Sequence, residues 1–587
     1  MISSRHAHAG VAAAALAVAA ASPAAAFPGF FIGKKPADRR AHSSQVVVMR
    51  KGDASVVTVA PDYEGPLDAF AVVLPVPADV TVENVATLKG EAIRRVEQIS
   101  APRFHEFWEQ DPCDPAPPEQ IWERSKMAVS GTDFLGGGMP QVGTEKVAKE
   151  LLMRVETDFK DAGEYKFTVL DEAQSKAPGD WLKQQGYAVT DAATQAIRPY
   201  ADAGMKFLVA EVDSKKIELL GDGRAQLSPI RYASQTPIDT LPTKLGLLNS
   251  PGDQELLVYV LHPDQQFEVK NYENVFPPTN IEVDFVVKER MGEFYAGLHD
   301  LMLKKNPKAF LVEYAWPTKG CGQPCATEPL MIHEILSLGG DVFEQNVPEE
   351  EKNPEPPELT AEEEEKQKAK LEALEPKERA KTKKQMEEDR QELARRKALL
   401  DRQAYLMTRL HYRYGKDTMP EDVKLTAGSK QVAGGTGVPK GQDTEISTSV
   451  EPAKTSELQT RYNFFHPWKA VIKCENPQRG KWGKPPRTYR GLNKIWVAED
   501  IARKNRKQIK PASVVRDAIP ALDLAPAPAL DAGVDGGADA GTGDAEKSEN
   551  CGCRAPGSAP GGALGASFGL LLAGAWVRRR INRRPGR

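Results

Sequence analysis

SQVVVMRKGDASVVTVAPDYEG, residues 44–65, sets two β-branched runs on either side of Gly52-Asp53. A Gly-Asp pair between apolar runs of this length marks a tight turn, so the stretch predicts a β-hairpin and a sheet-based fold. The next run, AFAVVLPVPADV from Ala69, is apolar to Val76, and Pro75 and Pro77 end it because proline cannot donate to a sheet ladder. It predicts a buried strand that meets a sheet edge.

Downstream, VATLKGEAIRRVEQISAPRFHEFWEQDPC places Ile93, Val96 and Ile99, then Phe104, Phe107 and Trp108, at helical spacings. With Pro102 opening a second piece and Pro112 ending it, the expectation is a helix pair packed on the sheet. Residues 114–148 are rich in Pro and Gly and read as a long irregular connection. From Lys149, ELLMRVETDF, EYKFTVLD and MKFLVAEVD read as strands and GDWLKQQGY as a short helix. RAQLSPIRYAS, QELLVYVLHP and NIEVDFVV continue the pattern, followed by a helix from Lys288 to Lys304, the strand AFLVEYAW and a helix after Pro329. This mixture, without a repeat, predicts an α+β, β-rich fold.

Glu349 to Leu400 is more than half acid and base and reads as a charged helical insertion. Thr360 with Glu363 forms a capping box, and one long helix is expected from Pro376 to Leu406. Met386, Leu393, Leu400 and Met407 recur every seven residues, but Arg390 and Lys397 fill the second heptad position. A solvated helical hairpin is therefore expected in preference to a coiled coil that binds a partner. After TRLHYRYG come a Gly/Ser/Thr-rich loop from Ala427 to Glu451 and the strand-like LQTRYNFFHPWKAVIKC.

The ends carry an address. Met1 to His8 holds Arg5 and no acid, Val11 to Ala21 is apolar, and Ala24-Ala25-Ala26 offers a cleavage site before Phe27, so residues 1–26 read as an export signal. At the other end, the 17 positions from Gly561 to Val577 carry no charge. As a helix they would reach roughly 26 Å, close to the hydrocarbon thickness of a bilayer. Arg578, Arg579, Arg580, Arg583 and Arg584 follow and would stay cytoplasmic, leaving the rest of the chain outside. The organisation expected is a signal (1–26), an N-terminal hairpin-and-helix part (27–148), a central α+β part (149–345), the insertion (346–405) and a C-terminal part (406–518). A disordered Ala/Asp/Gly/Pro linker (519–550) and a tail with one transmembrane helix (551–587) complete it.

Lys+Arg 78 against Asp+Glu 82 gives a net charge of -4, which excludes the strongly basic balance of a nucleic-acid binder. The partners expected are the membrane, export and sorting machinery, and an envelope or extracellular ligand. Export makes disulfides the natural reading of Cys113, Cys321, Cys325 and Cys474, whose three possible connectivities stay open. Cys321 and Cys325 are separated by three intervening residues, not the two of a thioredoxin-like site, so a structural bridge is favoured over redox chemistry.

Chemical motifs fall short. His333-Glu334-Ile335-Leu336-Ser337 begins like a zinc-protease helix but has serine at the second ligand position. Gly565-Ala566-Ser567-Phe568-Gly569 spells a nucleophile elbow inside the apolar tail segment, the wrong context for one. The Asp-rich tract after Pro520 lacks the acid pattern of a calcium loop. His105, Glu106, Glu109 and Asp111 would gather on one helix face, as a polar face or as an acid/base or metal cluster. His411 reads as a partly buried polar residue near Arg409 and Tyr412. No catalytic residue, cofactor or metal ligand is assigned.

Two resemblances add to this. Cys551-Gly552-Cys553, the apolar segment and the terminal arginines resemble the MYXO-CTERM class of surface-sorting tail, which implies helix cleavage and attachment through Cys551 or Cys553. The competing reading is a plain C-terminal membrane anchor. SQVVVMRKG, AFAVVLPVP, APRFHEFWEQDPC, LSPIRY, EYAW, CGQPC and TRLHYRYG, in that order, resemble the bacterial domain-of-unknown-function family numbered 2330. Pro28 stands where that family usually has cysteine. The resemblance implies no activity. The expectation is a surface-tethered, non-enzymatic ectodomain for adhesion, envelope structure or ligand binding. The alternatives are an extracellular hydrolase using the His105 region or His333/Glu334, with a metal, and a thiol oxidoreductase using Cys321 and Cys325.

Overall fold

Strands Ser43–Lys51 and Ala54–Tyr63 pair antiparallel, Val46 facing Val59 and Lys51 facing Ala54, and Gly52 turns between them at φ +59°. The hairpin read from the sequence is thus present. In this computed structural model the described residues are 27–114, 163–217, 219–220, 223–250, 252–318, 329–442, 444–483, 497–498 and 508–515. All of them lie in one unit that extends to Leu530.

The hairpin belongs to a twelve-stranded sheet whose centre runs Ala309–Pro317, Leu406–Tyr414, Gln254–His262, Ser43–Lys51, Ala54–Tyr63 and Ile230–Ser234. Neighbours along this path are antiparallel except Gln254–His262 with Ser43–Lys51. A four-stranded antiparallel sheet, Phe30–Gly33, Phe70–Val76, Lys206–Val212 and Tyr165–Val169, lies over one face. Val46, Val48, Val57 and Val59 meet Phe70, Val72 and Leu74 in the core between the two sheets.

Both sheets are covered on their other faces as well. Val47, Met49 and Tyr259 pack on Ile93, Val96 and Ile99 of helix Gly90–Ser100 and on Ile335 and Leu338. Ala71, Val73 and Phe207 pack on Leu182 and Ile197, from helices Pro178–Gln184 and Asp191–Asp202. The result is a helix/sheet/sheet/helix layering. Strands buried on both faces have no need of alternation, which is why VVVM and FAVVL are continuous apolar runs.

The second helical piece predicted after Pro102 is a strand, Arg103–Glu109. Ala101, before proline, is extended at φ -62°, ψ 146°, and the helix ends there. The Arg103 guanidinium then turns back onto the carbonyls of Gln98, Ile99 and Ala101, the unpaired acceptors of that helix end. The strand runs parallel to Arg461–His466, with Phe104 beside Tyr462 and Trp108 beside His466. A second structural element not foreseen is the helix Asp191–Asp202, capped by Thr190.

The charged insertion is helical. Thr360 and Glu363 form the expected box at the start of Ala361–Glu372, and the long helix is Pro376–Arg402, shorter at its end than predicted. Ala394 is its one buried residue, and Leu393 and Leu400 are exposed. Met407 already belongs to the next strand, so the heptad spacing does not continue along the helix.

No helix among the described residues is long and apolar enough to cross a membrane. The signal, the 115–148 connection, the ELLMRVETDF strand, Cys321 and Cys325, the linker and the whole 551–587 tail lie outside the described residues.

Candidate functional site

Three adjacent strands carry charged residues on the face that helix Met291–Lys305 covers. In Leu406–Tyr414, Leu410, Tyr412 and Tyr414 point into the inter-sheet core, so Arg409, His411 and Arg413 point the other way. Register sets Glu255 against Arg413 and Tyr259 against Arg409. On the other side Leu311 faces His411, but the register shifts between Val312 and Tyr314, leaving Glu313 as the extra residue of a bulge. A bulge re-aims its side chain. Here it brings the Glu313 carboxylate onto His411.

His411 Nδ1 lies 2.6 Å from Glu313 Oε1, and its Nε2 lies 2.6 Å from Glu255 Oε2. Arg409 Nε donates to Glu313 Oε2 at 2.6 Å and Tyr295 Oη donates to Glu313 Oε1 at 2.5 Å. Arg413 Nε donates to Glu255 Oε1 at 2.5 Å, and its Nη1 pairs with Asp300. Glu255, Glu313, Arg409 and His411 are all buried.

Burial would lower the His411 pKa, but the Glu313 and Glu255 carboxylates outweigh it and lift it to about 9, so both ring nitrogens donate at neutral pH. Burial would raise Glu313, but His411 and Arg409 hold it down at about 2. Arg413 and His411 likewise hold Glu255 well below the usual carboxylate range. Desolvated ion pairs contribute little net stability compared with a packed apolar layer. Such a network is therefore a functional candidate.

His299, from the covering helix, stands against this network with its ring centroid 4.3 Å from that of His411. It is fully buried, and neither ring nitrogen has a hydrogen-bond partner among the described residues. Burial, reinforced by the positive charge of His411, pushes its pKa well below normal, so the ring is neutral and offers a lone pair. One donor atom from each of Glu255, His299 and His411 lies within 4.8 Å of the others, and among the described residues this is the one such His/Cys/Asp/Glu group. A cavity of about 330 Å³ adjoins, lined by Asp253, Asp300, Lys304, Lys308, Arg413 and Thr418. Arg413 and Asp300 belong to both the cavity wall and the buried network.

The cluster nominated from sequence is spread over both faces of a strand. Glu106 accepts from Lys288 Nζ at 2.9 Å and pairs with His466 at 2.6 Å, where the His466 ring stacks on Trp108. Glu109 instead binds Arg479 and the backbone N–H of Trp468 and Gly480. Asp111 accepts from the Cys113 N–H, and the His105 ring lies edge-on to Phe107. His333 sits in a one-turn helix whose Glu334 pairs with Arg95, and Ser337 Oγ donates to the His333 carbonyl. Cys113 is bonded to Cys474.

The network was half visible in the sequence. Arg409, His411 and Arg413 alternate in TRLHYRYG, a period-two signal of one strand face, and His411, expected to be partly buried, is buried completely. Glu255, His299 and Glu313 carry no local signal, because a paired strand brings Glu255, a bulge re-aims Glu313 and the covering helix brings His299, each from 98 or more residues away in the chain.

No curated protein and no solved structure matches the chain. The model of a family described as an uncharacterized protein conserved in bacteria, DUF2330, matches residues 22–426, a span that contains the whole buried network. On that match, covering most of the sequence, the chain belongs to the DUF2330 family.

Proposed function

We propose that this DUF2330 protein is an exported, non-enzymatic ectodomain held at the cell surface by its C-terminal tail, where it serves envelope structure, adhesion or ligand binding. The observation that carries the reading is the Cys113–Cys474 disulfide, which joins residues 361 apart in sequence. Such a bond belongs to an oxidising compartment. The apolar signal at residues 1–26 and the arginine-terminated tail support the same address. His105, Glu106, Glu109 and Asp111 face different partners, which favours a scaffold over a hydrolase built from them.

Peptide mapping of non-reduced protein, combined with protease treatment of intact cells, tests this. The Cys113–Cys474 peptide should be recovered oxidised, the ectodomain should be shaved from whole cells, and deletion of residues 551–587 should release it to the medium. A reduced pair in a protease-protected protein overturns the proposal. A processed chain end carrying a modified Cys551 or Cys553 supports the sorting-tail reading; an intact apolar segment at that end replaces it with a plain anchor.

A further inference from the structure

We propose that Glu255, His299 and His411 form a binding site for one divalent first-row transition ion of the zinc type, with Glu313 as the positioning residue behind His411. The donor set is one carboxylate and two imidazoles, a combination that suits zinc and its neighbours. His299 makes the strongest case. A fully buried histidine with both ring nitrogens unpartnered is an expensive way to fill space that a leucine would fill, and a metal ion is the ligand that gives its lone pair a partner.

The surroundings match what metal-bound histidines need. Such a histidine hands its other ring nitrogen to a carboxylate, which fixes the tautomer and the ring plane. Glu313 does this for His411 at Nδ1 and is itself clamped by Arg409 and Tyr295, so that Nε2 is aimed at Glu255 Oε2. Tetrahedral bonds of about 2.0–2.2 Å place ligand atoms roughly 3.4 Å apart. The 2.6 Å His411–Glu255 contact must therefore open slightly, while His299 closes in from within 4.8 Å.

Binding replaces the proton between His411 Nε2 and Glu255 Oε2 with the ion, and that proton leaves to solvent. Exchanging one proton for a dication leaves the cluster one charge more positive. Hydroxide or a small anion at the fourth position restores the balance. Arg413, already on Glu255, also lines the cavity beside Lys304 and Lys308, so the ground next to the site is positively charged and suits an anion.

The test is cobalt titration of the tag-free, chelator-stripped full chain, followed by zinc. One cobalt per chain with intense visible ligand-field bands, no thiolate charge-transfer band and displacement by zinc is the expected result. His299→Leu should abolish those bands while circular dichroism shows a folded chain. Glu313→Gln should weaken affinity by about 10–100-fold without removing the bands. Only the weak spectrum of hexaaqua cobalt, or thiolate bands alone, overturns the proposal on wild-type protein with no variant needed. Unchanged affinity in folded His299→Leu also overturns it.

Discussion

His411 Nδ1 and Glu313 Oε1 meet at 2.6 Å inside the protein, although 98 residues and the whole charged insertion separate them in the chain. The contact exists because Glu313 is the extra residue of a bulge, and Arg409 holds its second oxygen. Removing Arg409 would leave Glu313 with His411 and Tyr295 as partners but take one positive charge from the buried cluster, which then carries an uncompensated negative charge. Arg409→Met should therefore destabilise by about 3–5 kcal/mol, read from urea unfolding. The double variant Arg409→Met/Glu313→Leu should lie closer to wild type than Arg409→Met alone, because the charges of the buried cluster balance again, with His411 held by Glu255.

Gly297 sits inside helix Met291–Lys305, where alanine would ordinarily gain roughly 0.5–1 kcal/mol. A Cβ there would clash with the Ile509 carbonyl oxygen, in the 508–515 segment that packs against the helix. A backbone atom cannot rotate away. Gly297→Ala should therefore lose about 1–3 kcal/mol despite its better helix propensity, as overpacked sites do. The change should also speed proteolysis around residue 509, followed by limited digestion and mass spectrometry. A stabilised Gly297→Ala would mean that the segment is not seated on the helix.

The sheet was legible wherever both strands of a pair signal locally. Gly52 between two valine runs is sufficient for the hairpin, and the unbroken FAVVL run matches a strand buried between two layers. Arg103–Glu109 was not legible, because Phe104, Phe107 and Trp108 fit a helical period as well as two strand faces, and the deciding partner lies near residue 461. The candidate site fails for a similar reason. Alternation at Arg409, His411 and Arg413 shows one face of one strand, but no spacing predicts that a bulge at Glu313 and a helix carrying His299 will close on it.

Burial would raise the pKa of Glu109, but hydrogen bonds from Arg479 and from the N–H groups of Gly480 and Trp468 outweigh it and hold the carboxyl below its ordinary value. A depressed folded-state pKa contributes stability above the unfolded value, near 4.3, and loses it as pH falls through the folded value. Wild type should thus lose this increment on acidification below about pH 5, while Glu109→Gln should lack it at every pH. Urea unfolding of the two proteins from pH 7 to pH 3 should give stability curves that converge on the acid side. Parallel curves would rule out an ionised Glu109 as the source.

The same strand end carries a second clamp. Cys113 follows Glu109 closely, and its disulfide to Cys474 holds the segment that Glu109 also grips at Trp468, Arg479 and Gly480. Loss of either clamp leaves the other to keep 468–483 against strand Arg103–Glu109, whereas loss of both frees the Trp482–Gly483 pairing with it. Cys474→Ser should cost about 2–5 kcal/mol. Residues sharing one segment do not act independently, so the double variant Glu109→Gln/Cys474→Ser should depart from additivity by about 0.5–3 kcal/mol. Hydrogen exchange at Trp482 and Gly483 is the local readout. Protection should survive each single change and vanish in the double, and protection lost already in Glu109→Gln would assign the whole hold to the carboxylate.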